Sequence, residues 1–280
     1  MAELLETAPR AVDPRLAGLR RIAIVPAFNE EESITRVIEE IRAFDPELEI
    51  VVVDDGSRDR TAVVAEQCGA HVVRLPFNLG IGGAVQTGFR YAFENGFRIA
   101  VRLDGDGQHD ASQLGLLLEP VLADEADIAV GSRFAGRGGA EGAPDPRPGA
   151  DGLADGASSP GDGYRSSRPR RAGITILANT VSLLVRRRVT DPTSGFQALN
   201  RHAIGLFAAD YPHDIPEVEA VLMVHRHRLR MVEVPVQMRE RVGGRSSIGR
   251  VFAVYYMVKV LLALFVGLFR KNVTPLEDIK

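Results

Sequence analysis

The chain is expected to fold as an α/β protein on a mostly parallel sheet, with helices covering both faces. Three observations point there. Short apolar, β-branched runs alternate with segments whose apolar residues recur at helical spacing. The runs are nearly continuous, as in strands buried on both sides. Polar signatures follow the runs, at Pro26 to Glu30, Asp54 to Ser57, Asp104 to Asp110 and Gly131 to Arg133, and in open parallel sheets ligands bind at such carboxyl ends.

"RIAIVPAF" opens as a buried strand. "NEEESITRVIEEIRAF" follows as a helix, with Ile34, Val37, Ile38 and Ile41 on one face. Asn29 suits its N-cap, and Glu30 to Glu32 suit the positive end of its dipole. "EIVVVDDGS" is a second strand, and "RDRTAVVAEQCGA" a helix closed by Gly69. "HVVRL" is a third strand, after which "NLGIGGAVQTGFRYAFENG" runs from a glycine-rich loop into a helix. "FRIAVRLDGDGQH" is the fourth strand, "ASQLGLLLEPVLA" a helix and "DIAVGSR" the fifth strand. Further on, "AGITILANTVSLLVRR" has a helical pattern, and "RMVEVPVQMRER" reads as a strand.

Residues 136–170 contain nine Gly and five Pro with little to bury, the composition of a disordered insertion. A mobile lid and a dispensable insert both fit it. Val251 to Phe269 is an apolar run of 19 residues with one charge, Lys259. Its length approaches the roughly 20 residues of a span, but a central Lys costs about 2.5–3.5 kcal/mol there. Spanning, lying in the interface with Lys259 snorkelling, and a soluble core helix all remain open; membrane contact is the expectation. The expected layout is a flexible N-terminus over 1–20, a main domain over 21–250, a hydrophobic helix over 251–271 and a tail over 272–280.

Net charge is −3 with pI near 6.1, which gives no global case for nucleic acid, so anions must be held by local basic residues. One cysteine, Cys68, excludes an internal disulfide and a cysteine-built zinc site. The first residues have no continuous apolar stretch of a signal peptide. The main domain is therefore expected in the cytoplasm.

The acidic stretch "RLDGDGQHD" suits either a hydrophilic turn or a cation site. A turn at Gly105 could bring Asp104 and Asp106 to one point, where two hard oxygen donors plus phosphate oxygens would suit Mg²⁺ or Mn²⁺. Counted from Asp104, the sixth residue of an EF-hand would be His109 and the twelfth Gly115, so that reading fails. "DDGS" is a good turn sequence whose Asp55 could also meet a base or ribose. "NLGIGGA" could cradle phosphate, yet neither a P-loop nor a G-x-G-x-x-G after the first strand is present.

In order, "VPAFNEE", "VVDDGSRDRT", "NLGIGGAVQTG", "RLDGDGQH", "GSR", "DPTSGF" and "EVPVQMRERVGGRSS" resemble the family-2 nucleotide-sugar glycosyltransferases. Among these the chain looks most like the polyprenyl-phosphate branch typified by dolichyl-phosphate mannose synthase. The resemblance covers about residues 21–250 outside the insertion. It implies a GT-A fold and transfer, with inversion, of a sugar from a nucleotide diphosphate sugar to a polyprenyl phosphate at a membrane surface. It also implies that Pro26, Ala27, Asn29, Glu30, Asp55, Gly83 and Asp104 hold the donor, and that Asp104, Asp106 and Gln108 hold Mg²⁺ or Mn²⁺. Arg133, Arg171, Thr175 and Arg241 would take the acceptor phosphate, so that catalysis rests on Asp104, Asp106, Arg133 and Arg241. Thr175 stands where the branch has Ser, Gln197 where it has Arg, and Ser247 where it has Lys. A glycan hydroxyl acceptor would need a base, for which Asp191, Glu217 and Glu219 are candidates. A silent scaffold of the same fold is the remaining alternative, and a small membrane-protein partner is compatible with so thin a lipid anchor.

Overall fold

The computed structural model describes residues 13–135, 168–213 and 216–239. Seven strands form one sheet in the order β3-β2-β1-β4-β6-β5-β7. The first four are β1 (Arg21–Ala27), β2 (Glu49–Asp54), β3 (His71–Arg74) and β4 (Ile99–Arg102). Then come β5 (Ile128–Ser132), β6 (Gln197–Asn200) and β7 (Met231–Pro235). All neighbours are parallel except β6, which runs antiparallel to both β4 and β5.

Alternation along β1 assigns the two faces. Ala23 and Val25 point into a core closed by α1 (Ile34–Phe44), α2 (Thr61–Gln67) and α4 (Leu114–Leu122). Ile22 and Ile24 point to the other side, against α3 (Gly80–Glu94), α6 (Arg201–Ala209) and α7 (Pro216–Arg226). There Phe89, Phe207 and Tyr211 pack ring against ring. A helix α5 (Arg168–Val185) lies on α7 through Leu177, Val181 and Val185.

Several expectations change. Residues 13–20 pack onto the fold instead of forming a flexible end: Asp13 caps a 3-10 turn at Pro14–Leu16, and Leu16 is buried in the core. The helix after the insertion starts at Arg168, inside the stretch 136–170. Helix α1 starts at Ile34 with Ser33 at its N-cap position, so Asn29 is not the cap. Strand β6 and helix α6 carried no periodic signal, yet β6 sits between β4 and β5 and completes the sheet. Among its described residues, the stretch read as one strand from Arg230 to Arg241 is strand only over Met231–Pro235, followed by an isolated bridge between Met238 and His109. Among the described residues no helix is long and apolar enough to cross a membrane. The hydrophobic run 251–269 lies outside the described residues.

Candidate active site

The carboxyl ends of β1, β2 and β4 meet at one cavity. Backbone bonding continues past the strands: Asp55 N–H donates to Ala27 O (2.9 Å) and Gly105 N–H to Pro26 O (3.2 Å). This carries both acidic loops over the end of β1. The cavity, about 350 Å³, is lined by Pro26, Ala27, Glu30, Asp55, Asp104, Gly105 and Asp106. Phe28, Asn78, Gly80, Ile81 and Ala84 complete the lining, and Phe28 and Ile81 remain exposed there. Its size is that of a small-molecule site. A larger depression, about 680 Å³, lies between Pro14, Phe44 and α4. Its Asp45 and Glu119 are engaged by Arg21 and Arg15, and it is away from the polar strand ends.

Asp104 and Asp106 line the cavity together, as expected, but by a different turn. Gly107 has the positive φ (74°), whereas Gly105 is needed for close approach, since a Cβ there would sit 3.1 Å from Ala27 Cβ and 3.2 Å from Pro26 O. Ser33 Oγ donates to Gly105 O (2.7 Å), and Gln108 N–H donates to Asp106 Oδ1 (3.0 Å). Gln108 is not among the lining residues; its carbonyl accepts from Arg239 N–H (2.9 Å). His109 lies under the loop: its Nδ1 accepts from Asp104 N–H (3.0 Å), and its ring stacks on Phe196 at 4.9 Å. Burial, the largest influence, keeps the imidazole below its ordinary pKa, so the neutral ring carries its proton on Nε2. That supports the loop rather than a ligand.

The two glutamate- and aspartate-rich loops are zipped together. Asn29, at φ 55°, donates from its N–H to Ser57 Oγ (2.9 Å) and accepts from Arg58 N–H (2.8 Å). Glu30 N–H donates to Thr61 Oγ1 (2.8 Å). Asn29 therefore orders these two loops without lining the cavity. Asp55 accepts from Leu79 N–H (2.7 Å), and burial raises its carboxyl above the ordinary range. Gly83 also falls away from the cavity: it lies in α3, where a Cβ would meet Leu79 Cβ at 2.6 Å. Gly82 likewise lets α3 approach the backbone of Pro212 and His213.

Arg102, an interruption in an apolar run, proves to be the fully buried centre of this region. Its guanidinium donates to Glu217 Oε1 (2.8 Å), Tyr211 Oη (3.1 Å) and, more weakly, Asp104 Oδ1 (3.4 Å), while its Nε has no partner. Burial opposes the charge, but Tyr211, Asp104 and Glu217 hold it protonated. Gly195 leaves room for the cluster, since a Cβ there would lie 2.8 Å from Arg102 Nη2 and 3.1 Å from Asp104 Oδ1. A charge inside a four-residue buried strand is the signal that a counter-ion must exist; its partner lies too far along the chain to be read.

The basic candidates are less assembled. Arg133, after β5, is clamped by Asp191 through Nε–Oδ2 (2.7 Å) and Nη2–Oδ1 (2.8 Å), and also donates to Thr193 Oγ1 (3.0 Å). Asp191 is itself fully buried. Thr175 is exposed on α5, on the far side of the helix from its packed face. Arg171 falls in the first turn of α5, where its side chain is outside the described set, and Arg241 lies outside the described residues.

The family model for "Glycosyl transferase family 2" matches residues 22–187, more than half of the chain. The chain belongs to glycosyl transferase family 2. This glycosyltransferase is 31% identical over 239 residues to undecaprenyl-phosphate mannosyltransferase of Micrococcus luteus, covering 82% of this chain and 87% of the relative. It is 29% identical over 238 residues to polyprenol monophosphomannose synthase of Mycolicibacterium smegmatis, covering 81% and 80%. Its fold matches glucosyl-3-phosphoglycerate synthase of Mycobacterium tuberculosis, solved with Mn²⁺ and UDP-glucose, at TM-score 0.61 and 20% identity, covering 92% and 82%. The fold of the family-2 enzyme is thus GT-A-like, with a mixed, mostly parallel sheet.

Proposed function

We propose that this glycosyltransferase moves a sugar from a nucleotide diphosphate sugar to a polyprenyl phosphate, with inversion and with Mg²⁺ or Mn²⁺. The observation that carries the proposal is the convergence of Asp55, Asp104 and Asp106 on one cavity at the ends of β1, β2 and β4. Two relatives named for polyprenol- and undecaprenyl-phosphate mannose transfer support the acceptor class.

The donor set fits the cation. Two adjacent carboxylates supply hard oxygens, and no group of three His, Cys, Asp or Glu able to form a protein cage occurs among the described residues. Such a pair suits an ion completed by diphosphate and water. When bound, the ion would neutralise charge on the departing nucleoside diphosphate. Asp55 would orient base or ribose at the other end of the cavity. The acceptor phosphate oxygen attacks the anomeric carbon from the face opposite the diphosphate, forming one C–O bond as the other breaks. That oxygen is already ionised, so no side chain needs to take a proton.

Of the carboxylates suited to act as base for a hydroxyl acceptor, Asp191 is committed to Arg133, and Glu217 to Arg102. Their engagement supports a phosphate acceptor over a glycan hydroxyl. Arg133 would meet the phosphate by sharing its guanidinium with Asp191. Arg241, which the family resemblance assigns to the acceptor phosphate, would pair with it through its guanidinium. A domain from residue 13 to about 250 working at the cytoplasmic face of a membrane, with an insertion ending before Arg168 and 251–269 in contact with lipid, is the organisation this reading favours.

The test is a panel of nucleotide sugars with Mg²⁺ or Mn²⁺, offered polyprenyl phosphate or a polysaccharide, with product analysis. A chelator-sensitive glycolipid is expected. A polysaccharide product would replace the acceptor assignment, and donor binding with no product from either acceptor would favour a silent scaffold.

A further inference from the structure

Apart from Thr175, the exposed residues of α5 are not used by the site described above. Its inner side packs Leu177, Val181 and Val185 against Val218, Val221 and Leu222 of α7. The opposite stripe carries Ile176, 53% exposed, and Leu183, 78% exposed, two helical turns apart. Beyond the helix end Arg186, Arg187 and Arg188 are all exposed. Their turn is fixed: Val189 N–H donates to Ser182 Oγ (2.9 Å), Arg187 N–H to Ser182 O (3.1 Å), and Thr190 and Asp191 N–H to the Glu233 carboxylate.

Charge is one-sided along the whole segment. Residues 163–190 contain seven Arg and no Asp or Glu, in a chain whose net charge is −3. One arginine is enough to complement the negative end of a helix dipole. Three in succession beside an exposed leucine exceed that need. Basic residues flanking an apolar stripe on a surface helix are the chemistry of attachment to an anionic lipid interface, where the apolar side chains enter and the guanidinium groups meet phosphates.

We propose that the outer stripe of α5 and the Arg186–Arg188 turn dock this enzyme on an anionic phospholipid surface. The purpose of that docking rests on the polyprenyl-phosphate reading. The turn lies close along the chain to the acceptor side: Asp191, the clamp of Arg133, comes three residues after Arg188. Docking there presents the bilayer to the end of β5 rather than to the acidic cavity.

The test is co-sedimentation of the full chain with phosphatidylcholine vesicles, with and without phosphatidylglycerol, across a salt series. Binding is expected to rise with phosphatidylglycerol and to fall with salt. The combined Arg186→Ser, Arg187→Ser, Arg188→Ser variant should bind phosphatidylglycerol vesicles roughly 10- to 100-fold more weakly. Leu183→Ser should weaken binding about fivefold. Arg90→Ser, on α3 and paired with Glu94, should change nothing. Parental vesicle binding by the triple variant, at an unchanged melting temperature, overturns the proposal. So does equal binding to soluble polyphosphate and to vesicles with Leu183→Ser silent on both, which would make the turn a general polyanion site. Turnover in detergent micelles reports separately on the acceptor. Parental glycolipid synthesis there by a triple variant that no longer binds vesicles supports docking. Vesicle binding lost in the triple variant, with no glycolipid from the parent, supports docking and sinks only the acceptor reading.

Discussion

The two sides of the strand-end surface handle charge in opposite ways. Around β1, β2 and β4, Asp55, Asp104 and Asp106 line one cavity, with the buried Arg102 behind Asp104. Around β5, Arg133 is already balanced by the buried Asp191 in a two-point clamp. One side thus gathers carboxylates around an open cavity, and the other pairs its arginine with a buried carboxylate. A phosphate reaching Arg133 adds to an existing pair, which trades affinity for a fixed guanidinium orientation.

The largest expected effect tests the acidic side. Asp106→Ala should lower sugar transfer by about 10³-fold, the scale of losing a preorganised electrostatic group, while leaving unfolding midpoints near the parent's. Initial rates at saturating Mg²⁺ or Mn²⁺ check it. Transfer within tenfold of the parent would mean that the cavity is not where the diphosphate is held.

The second sharpens what lies behind that cavity. Glu217→Leu leaves the buried Arg102 guanidinium with Tyr211 and the more distant Asp104. Breaking one partner of a buried ion cluster costs about 3 kcal/mol, to be read from urea unfolding. Asp104 should then be drawn inward, so the metal concentration needed for half-maximal activity rises. Loss of stability with an unchanged metal requirement would make Arg102 a packing charge only.

The third separates the sides. Asp191→Asn keeps the shape of the clamp but removes its charge, and it should lower kcat/KM for the acceptor about 10- to 100-fold, the range for a buried charge-assisted hydrogen bond. Donor binding, followed by titration with the nucleotide sugar, should not change. An equal loss in donor affinity would show that the two sides are one unit.

This division follows what could be read from residue order. The parallel strands β1 to β5 announce themselves by β-branched runs, and the acidic signatures fall at their ends, so the cavity's Pro26, Ala27, Glu30, Asp55, Asp104 and Asp106 were legible, whereas Asn29, Gly83 and Gln108 fall outside its lining. Three features were not. β6 is a four-residue strand, Gln197–Asn200, too short to carry a period, and it owes its place to pairing with β4 and β5. Arg102 meets Glu217 across 115 positions, and Arg133 meets Asp191 across 58, distances over which no local pattern speaks. The glycines mislead for a different reason: Gly105 and Gly107 look equivalent in the motif, but one relieves a contact with β1 and the other supplies the left-handed turn.

A second clamp at the opposite end of β5 is the control for the first. Asp127, just before the strand, accepts from Arg230 N–H (2.7 Å), the Arg230 guanidinium and Asn200 Nδ2 (2.8 Å), tying β5 to β6 and β7 far from the cavity. Burial works against its charge, but the Arg230 and Asn200 bonds hold its carboxyl below the ordinary value. A carboxyl with a depressed folded pKa contributes stability that is fully present above the unfolded value of about 3.9 and is lost as pH falls through the folded one. Asp127→Asn should therefore cost about 1 kcal/mol near neutral pH, a modest figure because Arg230 is half exposed and screened by water. The gap between parent and variant should hold down to about pH 5 and shrink below about pH 4 in urea melts. Its acceptor KM should match the parent's. If Asp127→Asn raised that KM as Asp191→Asn does, the effect at Asp191 would be general loosening of β5 rather than the orientation of Arg133.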